Sequence, residues 1–229
     1  MSDFQIKTAT VEDRARATLG ISADPILRLV DRVIGDSHPG GGTLVDLGCG
    51  RGDLGRAVAG RFDHYIGVDV VHYDGFPESA EFHKVDLDTG RVPLPDGLAD
   101  VVAAVETIEH VENPRAFMRE LARLARPGAL IVVTTPNQLS LLSKLTLILK
   151  NQFNAFTERP GSYPAHITAL LEIDLVRIAR ECGLADPKIR YTDSGRIPGT
   201  AKHWPWGLGG RAFSDNLLLE TRRPPGLLS

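Results

Sequence analysis

Thr43-Leu-Val-Asp-Leu-Gly-Cys-Gly-Arg-Gly-Asp-Leu-Gly55 reads as a short buried strand, a turn that glycine makes easily, and the start of a helix. Asp46 lies at the end of the strand, and glycines at 48, 50 and 52 let the backbone approach a ligand closely. The helix that follows would offer its N-terminal N–H groups. A second apolar run, Tyr65-Ile-Gly-Val-Asp-Val70, carries Asp69 where a strand end places a carboxylate against ribose hydroxyls. Together they imply a cofactor that contains a nucleoside.

Gly50-Arg-Gly-Asp-Leu-Gly55 also fits the dinucleotide pattern G-x-G-x-x-G, so the loop alone leaves NAD open. Asp46 discriminates. A carboxylate at the mouth of the loop repels a pyrophosphate and suits an ammonium and a sulfonium. The run Val45-Asp-Leu-Gly-Cys-Gly-Arg-Gly52 resembles the glycine-rich motif of class I S-adenosylmethionine-dependent methyltransferases. The resemblance implies that the loop, with Asp46, Gly48 and Gly50, passes under the methionine part of S-adenosylmethionine, and that Asp69 holds the ribose.

A chain of 229 residues suffices for one sizeable α/β domain, read here as residues 1–229, and is short for two. Most NAD dehydrogenases carry a second substrate domain, and none is evident. The net charge of −3 disfavours an extensive nucleic-acid surface. Cys49 and Cys182 make neither a disulfide framework nor a zinc cluster, and Cys49 reads as a small residue filling tight space. The first residues lack the charged-then-apolar pattern of a signal peptide, and no apolar run reaches bilayer-spanning length. A cytoplasmic protein with no transmembrane segment is expected.

Helices are expected over residues 11–19 and from Asp24 as cap, with Pro25 at the first position, to Ile34. Strands are expected at residues 82–87 and 99–106. A helix follows from Pro114 to Arg126, stopped by Pro127-Gly128, then a continuous apolar strand over 129–135, as when both faces are covered. Another helix spans 168–181, and final strands lie near 188–192 and 216–222. Alternating strands and helices predict a doubly wound, mostly parallel seven-stranded sheet, Rossmann-like, with an antiparallel C-terminal strand. Closing strands separated by a long loop resemble the end of the methyltransferase sheet.

From about Leu44 to Asn137 further segments resemble that family in order. Lys84-Val-Asp-Leu-Asp88 resembles the position whose acid binds the adenine amino group, which implies Asp86 with its neighbour Leu87, although Asp88 competes for the role. Val92-Pro-Leu-Pro-Asp-Gly-Leu-Ala-Asp-Val-Val102, Glu106-Thr-Ile-Glu-His-Val-Glu-Asn-Pro114 and Arg126-Pro-Gly-Ala-Leu130 continue the match.

Methyl transfer from a sulfonium is an in-line displacement with a good leaving group, so no single signature residue is required. The strongest cluster is Glu106-x-x-Glu109-His110, at the sheet edge where ligands bind. Glu106, Glu109 and His110, with His166 as fourth ligand, could hold a divalent metal such as Mg or Zn. The spacing resembles ubiquinone-pathway O-methyltransferases and small-RNA terminal 2′-O-methyltransferases, which implies a metal that gathers the acceptor's oxygens. The later histidine sits in Tyr163-Pro-Ala-His-Ile-Thr168, without the aromatic-acidic run that follows it in the RNA enzymes. Glu-His at this place also occurs in metal-free methyltransferases, which implies Glu106 lining the cofactor pocket and His110 facing the acceptor. Three readings stay open: metal site, His110 as a metal-free base, and a structural imidazole. In the first two, Glu109, His110 and His166 are the catalytic candidates.

Two segments, near 138–165 and 196–213, read as substrate-side insertions. The apolar run Leu139 to Lys150 suits a packed helix, a lid, or peripheral membrane contact. Trp204 and Trp206, in a Gly- and Pro-rich loop, suit stacking on an acceptor, covering a hydrophobic edge, or resting on a membrane. The expected activity is O-methylation of a small-molecule, glycan or lipid-linked acceptor. The rivals are an NAD-linked oxidoreductase, for which no proton-donating pair is found, and a non-catalytic nucleotide-binding protein.

Overall fold

The structure is a computed structural model, and it describes residues 10–89, 91–158, 164–205 and 208–226. Seven strands form one sheet: β1 (Thr43–Leu47), β2 (His64–Asp69), β3 (Glu81–Lys84), β4 (Ala99–Ala104), β5 (Ala125–Pro136), β6 (Ala185–Tyr191) and β7 (Asn216–Arg222). Their order is β3-β2-β1-β4-β5-β7-β6. The first five are parallel, whereas β7 runs antiparallel between β5 and β6. The sheet is thus the mixed, mostly parallel one expected.

Among the described residues six helices accompany the strands: α1 (Val11–Ala17), α2 (Asp24–Ser37), α3 (Asp53–Ala57), α4 (Pro114–Leu124), α5 (Leu141–Lys150) and α6 (Glu172–Glu181). Alternation along the strands sends side chains to two cores. Val45, Leu47, Val102 and Ile131 pack with Phe117, Met118 and Leu121 of α4 and with Leu175 and Ile178 of α6. Leu44, Val101, Val132 and Leu218 point the other way, against Ile26, Val30 and Val33 of α2. Because both faces are covered, β1, β4 and β5 read as near-continuous apolar runs.

Several local expectations need correction. Asp24 does not cap α2. The cap is Ala23, which makes no side-chain bond, and Asp24 is the first residue of the helix. Pro127-Gly128 does not stop α4, which ends at Leu124. Ala125 already pairs with Ala99, and the ladder resumes, after a register shift, with Leu130 opposite Val101. The helix over 168–181 begins only at Glu172, since Ile167 and Thr168 give their N–H groups to the Glu109 carbonyl. The helix after the glycine loop is five residues long.

Leu121 is fully buried between α4 and the sheet. Leu121→Ala should cost about 2–5 kcal/mol. Urea denaturation would measure it, and a loss below about 1 kcal/mol would show that this core is not close-packed.

Candidate active site

The strand order reverses between β1 and β4, and chains leaving neighbouring strands diverge there, opening a crevice at their carboxyl ends. A cavity of about 280 Å³ occupies it. Its floor is the glycine loop after β1, and its walls include Asp69 of β2, Leu87 and Asp88 after β3, and Glu106, Thr107 and His110 after β4. Residues 11–23, including α1, add Arg14, Ala15, Thr18 and Gly20.

The loop is tied down on all sides. The N–H groups of Gly48 and Cys49 donate to the Val68 carbonyl, and that of Gly50 donates to Asp69 Oδ2 at 2.9 Å. Arg51 donates to the Gly20 carbonyl and Gly52 to that of Cys49. Every loop N–H from 48 to 52 is therefore spent inside the protein, and none is left for a phosphate. Glycine is needed at 48 and 50 for close approach: a Cβ would fall on the Thr107 side chain at 48 and on the Gly20 backbone at 50. Both also have positive φ.

Asp69 is almost fully buried. Its second oxygen accepts the Val71 N–H at 3.0 Å, and burial raises its pKa against the pull of these bonds. Asp69 lines the cavity, where the ribose was expected. Asp46 is different. It lies behind the loop and does not line the cavity, accepting the Tyr65 hydroxyl at 2.8 Å while its other oxygen is buried without a partner. Burial lifts it to about 7. Buried and held by the Tyr65 hydroxyl, its carboxyl does not reach the cavity, contrary to expectation. Asp86 is not among the lining residues either. Its Oδ1 accepts the Asp88 N–H at 2.9 Å, turning the chain so that Leu87 and Asp88 meet the cavity. Asp88 pairs with Arg14 at 3.1 Å and accepts the Glu112 N–H.

Glu106 has a left-handed backbone, φ 52°, and lines the cavity. Both its oxygens lie 3.0 Å from Asn216 Nδ2 at the start of β7, and burial raises its carboxyl to about 7. Glu109 is fully buried and, contrary to expectation, does not face the cavity. Neither of its oxygens has a hydrogen-bond partner, and burial, then the charge of Glu106, holds its pKa well above the usual range. A single turn of 3-10 helix over Ile108–His110 turns Glu109 inward and His110 outward.

His110 and His166 both line the cavity, with ring centroids 4.8 Å apart. Nδ1 of His110 donates to the Ala165 carbonyl at 2.9 Å, and Nδ1 of His166 donates to the Ala155 carbonyl at 2.8 Å. Both rings are then neutral tautomers whose Nε2 carries the lone pair. Burial and the neighbouring His166 lower His110 to about 4, and burial lowers His166. Donor atoms of Glu109, His110 and His166 all lie within 4.8 Å of one another. Glu106, turned to Asn216, is outside this group, so the four-ligand set is reduced to three.

Trp204 packs edge-on against Phe213, centroids 5.1 Å apart, and does not line the cavity. Trp206 lies outside the described residues. Sequence reasoning missed Arg14, Thr107, Tyr73 and the whole α1 wall. The only available signal for Arg14 was a cation on the inner face of a short amphipathic helix.

A seven-stranded sheet of this order, with an acid-walled crevice at its switch point, is the framework of a class I methyltransferase. The chain belongs to the methyltransferase-domain family, whose model matches residues 16–186. It is similar to a probable S-adenosylmethionine-dependent methyltransferase of Mycolicibacterium smegmatis, 32% identical over 163 residues, covering 67% of this chain and 62% of that protein. It is also 30% identical over 107 residues to a ubiquinone biosynthesis O-methyltransferase of Aeromonas salmonicida, covering 43% of this chain and 44% of that one. The chain thus spans about half to two thirds of the length of these relatives. The crystal structure of a S-adenosylmethionine-dependent methyltransferase from Archaeoglobus fulgidus shares the fold, with a TM-score of 0.59 at 20% identity, over 86% of this chain and 94% of that one. No described helix is long and apolar enough to cross a membrane.

Glu106 gives a test with a definite sign. Its carboxyl is raised from 4.5 to about 7 in the folded state, so between these values the unfolded chain binds fewer protons and stability falls as pH rises. Glu106→Gln should raise the melting temperature of the ligand-free protein at about pH 8 and leave it near wild type at about pH 4. Equal effects at both pH values would show that the buried carboxylate is not the source.

Proposed function

We propose that the chain transfers a methyl group from S-adenosylmethionine to an oxygen of a small-molecule, glycan or lipid-linked acceptor. The observation that carries the cofactor half is the spent N–H set of the loop beside Asp69 and Glu106. An anionic pyrophosphate finds no loop donor there and meets carboxylates, whereas a ligand with an ammonium and a sulfonium meets complementary charge. Asp69, which lines the cavity, would hold the ribose hydroxyls. Leu87 and Asp88 would border the adenine, and Gly48, Gly50 and Glu106 the methionine part.

The bound cofactor supplies an electrophilic methyl carbon on a positively charged sulfur. The protein's part is to hold the acceptor oxygen in line behind that carbon and to accept its proton as the new C–O bond forms and the C–S pair returns to sulfur. His110 Nε2 suits that role. The Ala165 carbonyl fixes the tautomer, and the ring stays unprotonated at neutral pH. A group near 4 is a weak base, so its main service is to orient the O–H, with proton transfer late in the displacement. The likeness to an O-methyltransferase of the ubiquinone pathway supports oxygen as acceptor.

The cluster of Glu109, His110 and His166 favours a second reading, a bound divalent ion. Two imidazoles whose Nδ1–H groups are held by carbonyls, beside a buried carboxylate with no donor, match the outer hydrogen bonding of metal ligands. That donor set suits zinc better than magnesium. Such an ion would lower the pKa of the acceptor hydroxyl.

Calorimetric titration with S-adenosylhomocysteine, with NAD in parallel, should show micromolar binding of the first alone. Tight NAD binding would overturn the proposal. Once an acceptor is found from a screen of hydroxyl and amine compounds, His110→Ala should lower kcat about 10²–10⁴-fold, with cofactor affinity nearly unchanged. Chelator treatment separates the two readings. Retained activity supports the metal-free base, and activity lost and then restored by Zn²⁺ supports the ion.

A further inference from the structure

We propose that α5 docks the acceptor side of the molecule on an anionic lipid surface. The inference goes beyond methyl transfer and stands on a different part of the chain. Of the eight large hydrophobic side chains exposed among the described residues, four fall on this one helix: Leu145, Leu147, Ile148 and Leu149. Ile148 and Leu149 are 78% and 79% exposed. Leu145, Ile148 and Leu149 stand at i, i+3 and i+4, so they form one stripe rather than scattered surface residues. Within the helix Ser143 is buried and Leu141, Leu142 and Thr146 are half-buried, so one side of α5 rests on the body and Ile148 and Leu149 face away from it.

Charge selects the occupant. Lys144 and Lys150 flank the stripe, and no acidic residue occurs from Gln138 to Thr157 in a chain whose net charge is −3. A short helix with an apolar stripe and lysines beside it suits the boundary between lipid headgroups and acyl chains. Ten residues of helix are about 15 Å long, half the thickness of a hydrocarbon core, so the helix would lie in the surface. A second copy is a poorer occupant, since pairing two such stripes would gather four lysines with no acid on either helix to offset them.

The helix is joined to the site. Ser143 Oγ accepts the Asn154 N–H, and the 3-10 turn Asn154–Phe156 that follows gives the Ala155 carbonyl to His166. The Phe156 ring lies 5.5 Å from His166. A surface that holds α5 therefore lies next to the histidine end of the cavity, where an amphiphilic acceptor would leave the lipid.

The test is co-sedimentation of the full chain with vesicles of phosphatidylcholine alone and of phosphatidylcholine with phosphatidylglycerol. The wild type should pellet with the anionic vesicles and at least tenfold less with the neutral ones. The double variant Ile148→Glu/Leu149→Glu should lose at least tenfold of that binding, and Lys144→Glu/Lys150→Glu should lose the preference for phosphatidylglycerol. Thermal melting confirms that each variant is folded. No pelleting of the wild type, or full pelleting of the Ile148/Leu149 variant, would overturn the proposal. So would a wild-type dimer in lipid-free gel filtration that this variant converts to monomer, which assigns the stripe to a second copy. A chain that pellets but binds no S-adenosylhomocysteine would sink the methyl-transfer reading and leave this one standing.

Discussion

The carboxylate of Asp69 joins two of the three strand ends on which the site is built, those of β1 and β2. It sits at the end of β2, and its two oxygens take the N–H of Gly50 from the loop after β1 and of Val71 from its own continuation. The Val68 carbonyl beside it takes two more loop N–H groups. From the β4 side, Thr107 presses on Gly48 and donates its hydroxyl to the carbonyls of Leu47 and Val105. Hydrogen bonds to a charged group contribute about 1.5–3 kcal/mol each, enough to offset much of the cost of burying this one. The consequence is electrostatic. A loop whose donors are all consumed cannot present positive potential to a ligand, so the cavity takes its sign from its carboxylates.

That sign is created at some expense. Glu106 is held with positive φ, and Glu109 is enclosed with both oxygens unpartnered. Buried carboxyls without donors are rare because they forfeit hydration without replacement. Here Glu109 is such a carboxyl, three residues from Glu106, whose own carboxyl is met by Asn216. A cation in that cavity would meet Glu106, so ligand binding and stability are linked through that group. The geometry of the histidines fits this arrangement. Two neutral imidazoles add basic nitrogens without adding positive charge that would oppose a sulfonium.

The sequence made the framework legible because β1, β2 and β4 are apolar runs punctuated by glycine and aspartate, and a strand buried on both faces leaves that trace. The antiparallel ending was legible by resemblance, from two closing strands separated by a long loop. The side-chain directions at the turns were not. Asp46 and Asp86 occupy sensible positions in the chain, yet one faces Tyr65 and the other braces Asp88. Glu109 and His110 are adjacent residues with opposite fates, decided by a single 3-10 turn that no periodicity announces. The α1 wall was invisible because its contacts, Arg14 with Asp88 and the Tyr73 hydroxyl with the Ala15 carbonyl, join segments more than fifty residues apart.

The two ends of the cavity are held by separate sets of bonds. The cofactor end depends on β1, β2 and β4. The histidine end depends on segment 165–168, where Ala165 accepts from His110, Ile167 and Thr168 donate to the Glu109 carbonyl, and the Thr168 hydroxyl donates to Val111. His166 is fixed in turn from the far side by Ala155, after α5. Changes in α5 or the turn behind it would therefore move His166 and the mouth of the cavity while leaving Asp69 and the glycine loop in place. A fold built this way can reshape the histidine end of its cavity without disturbing the end beside the glycine loop.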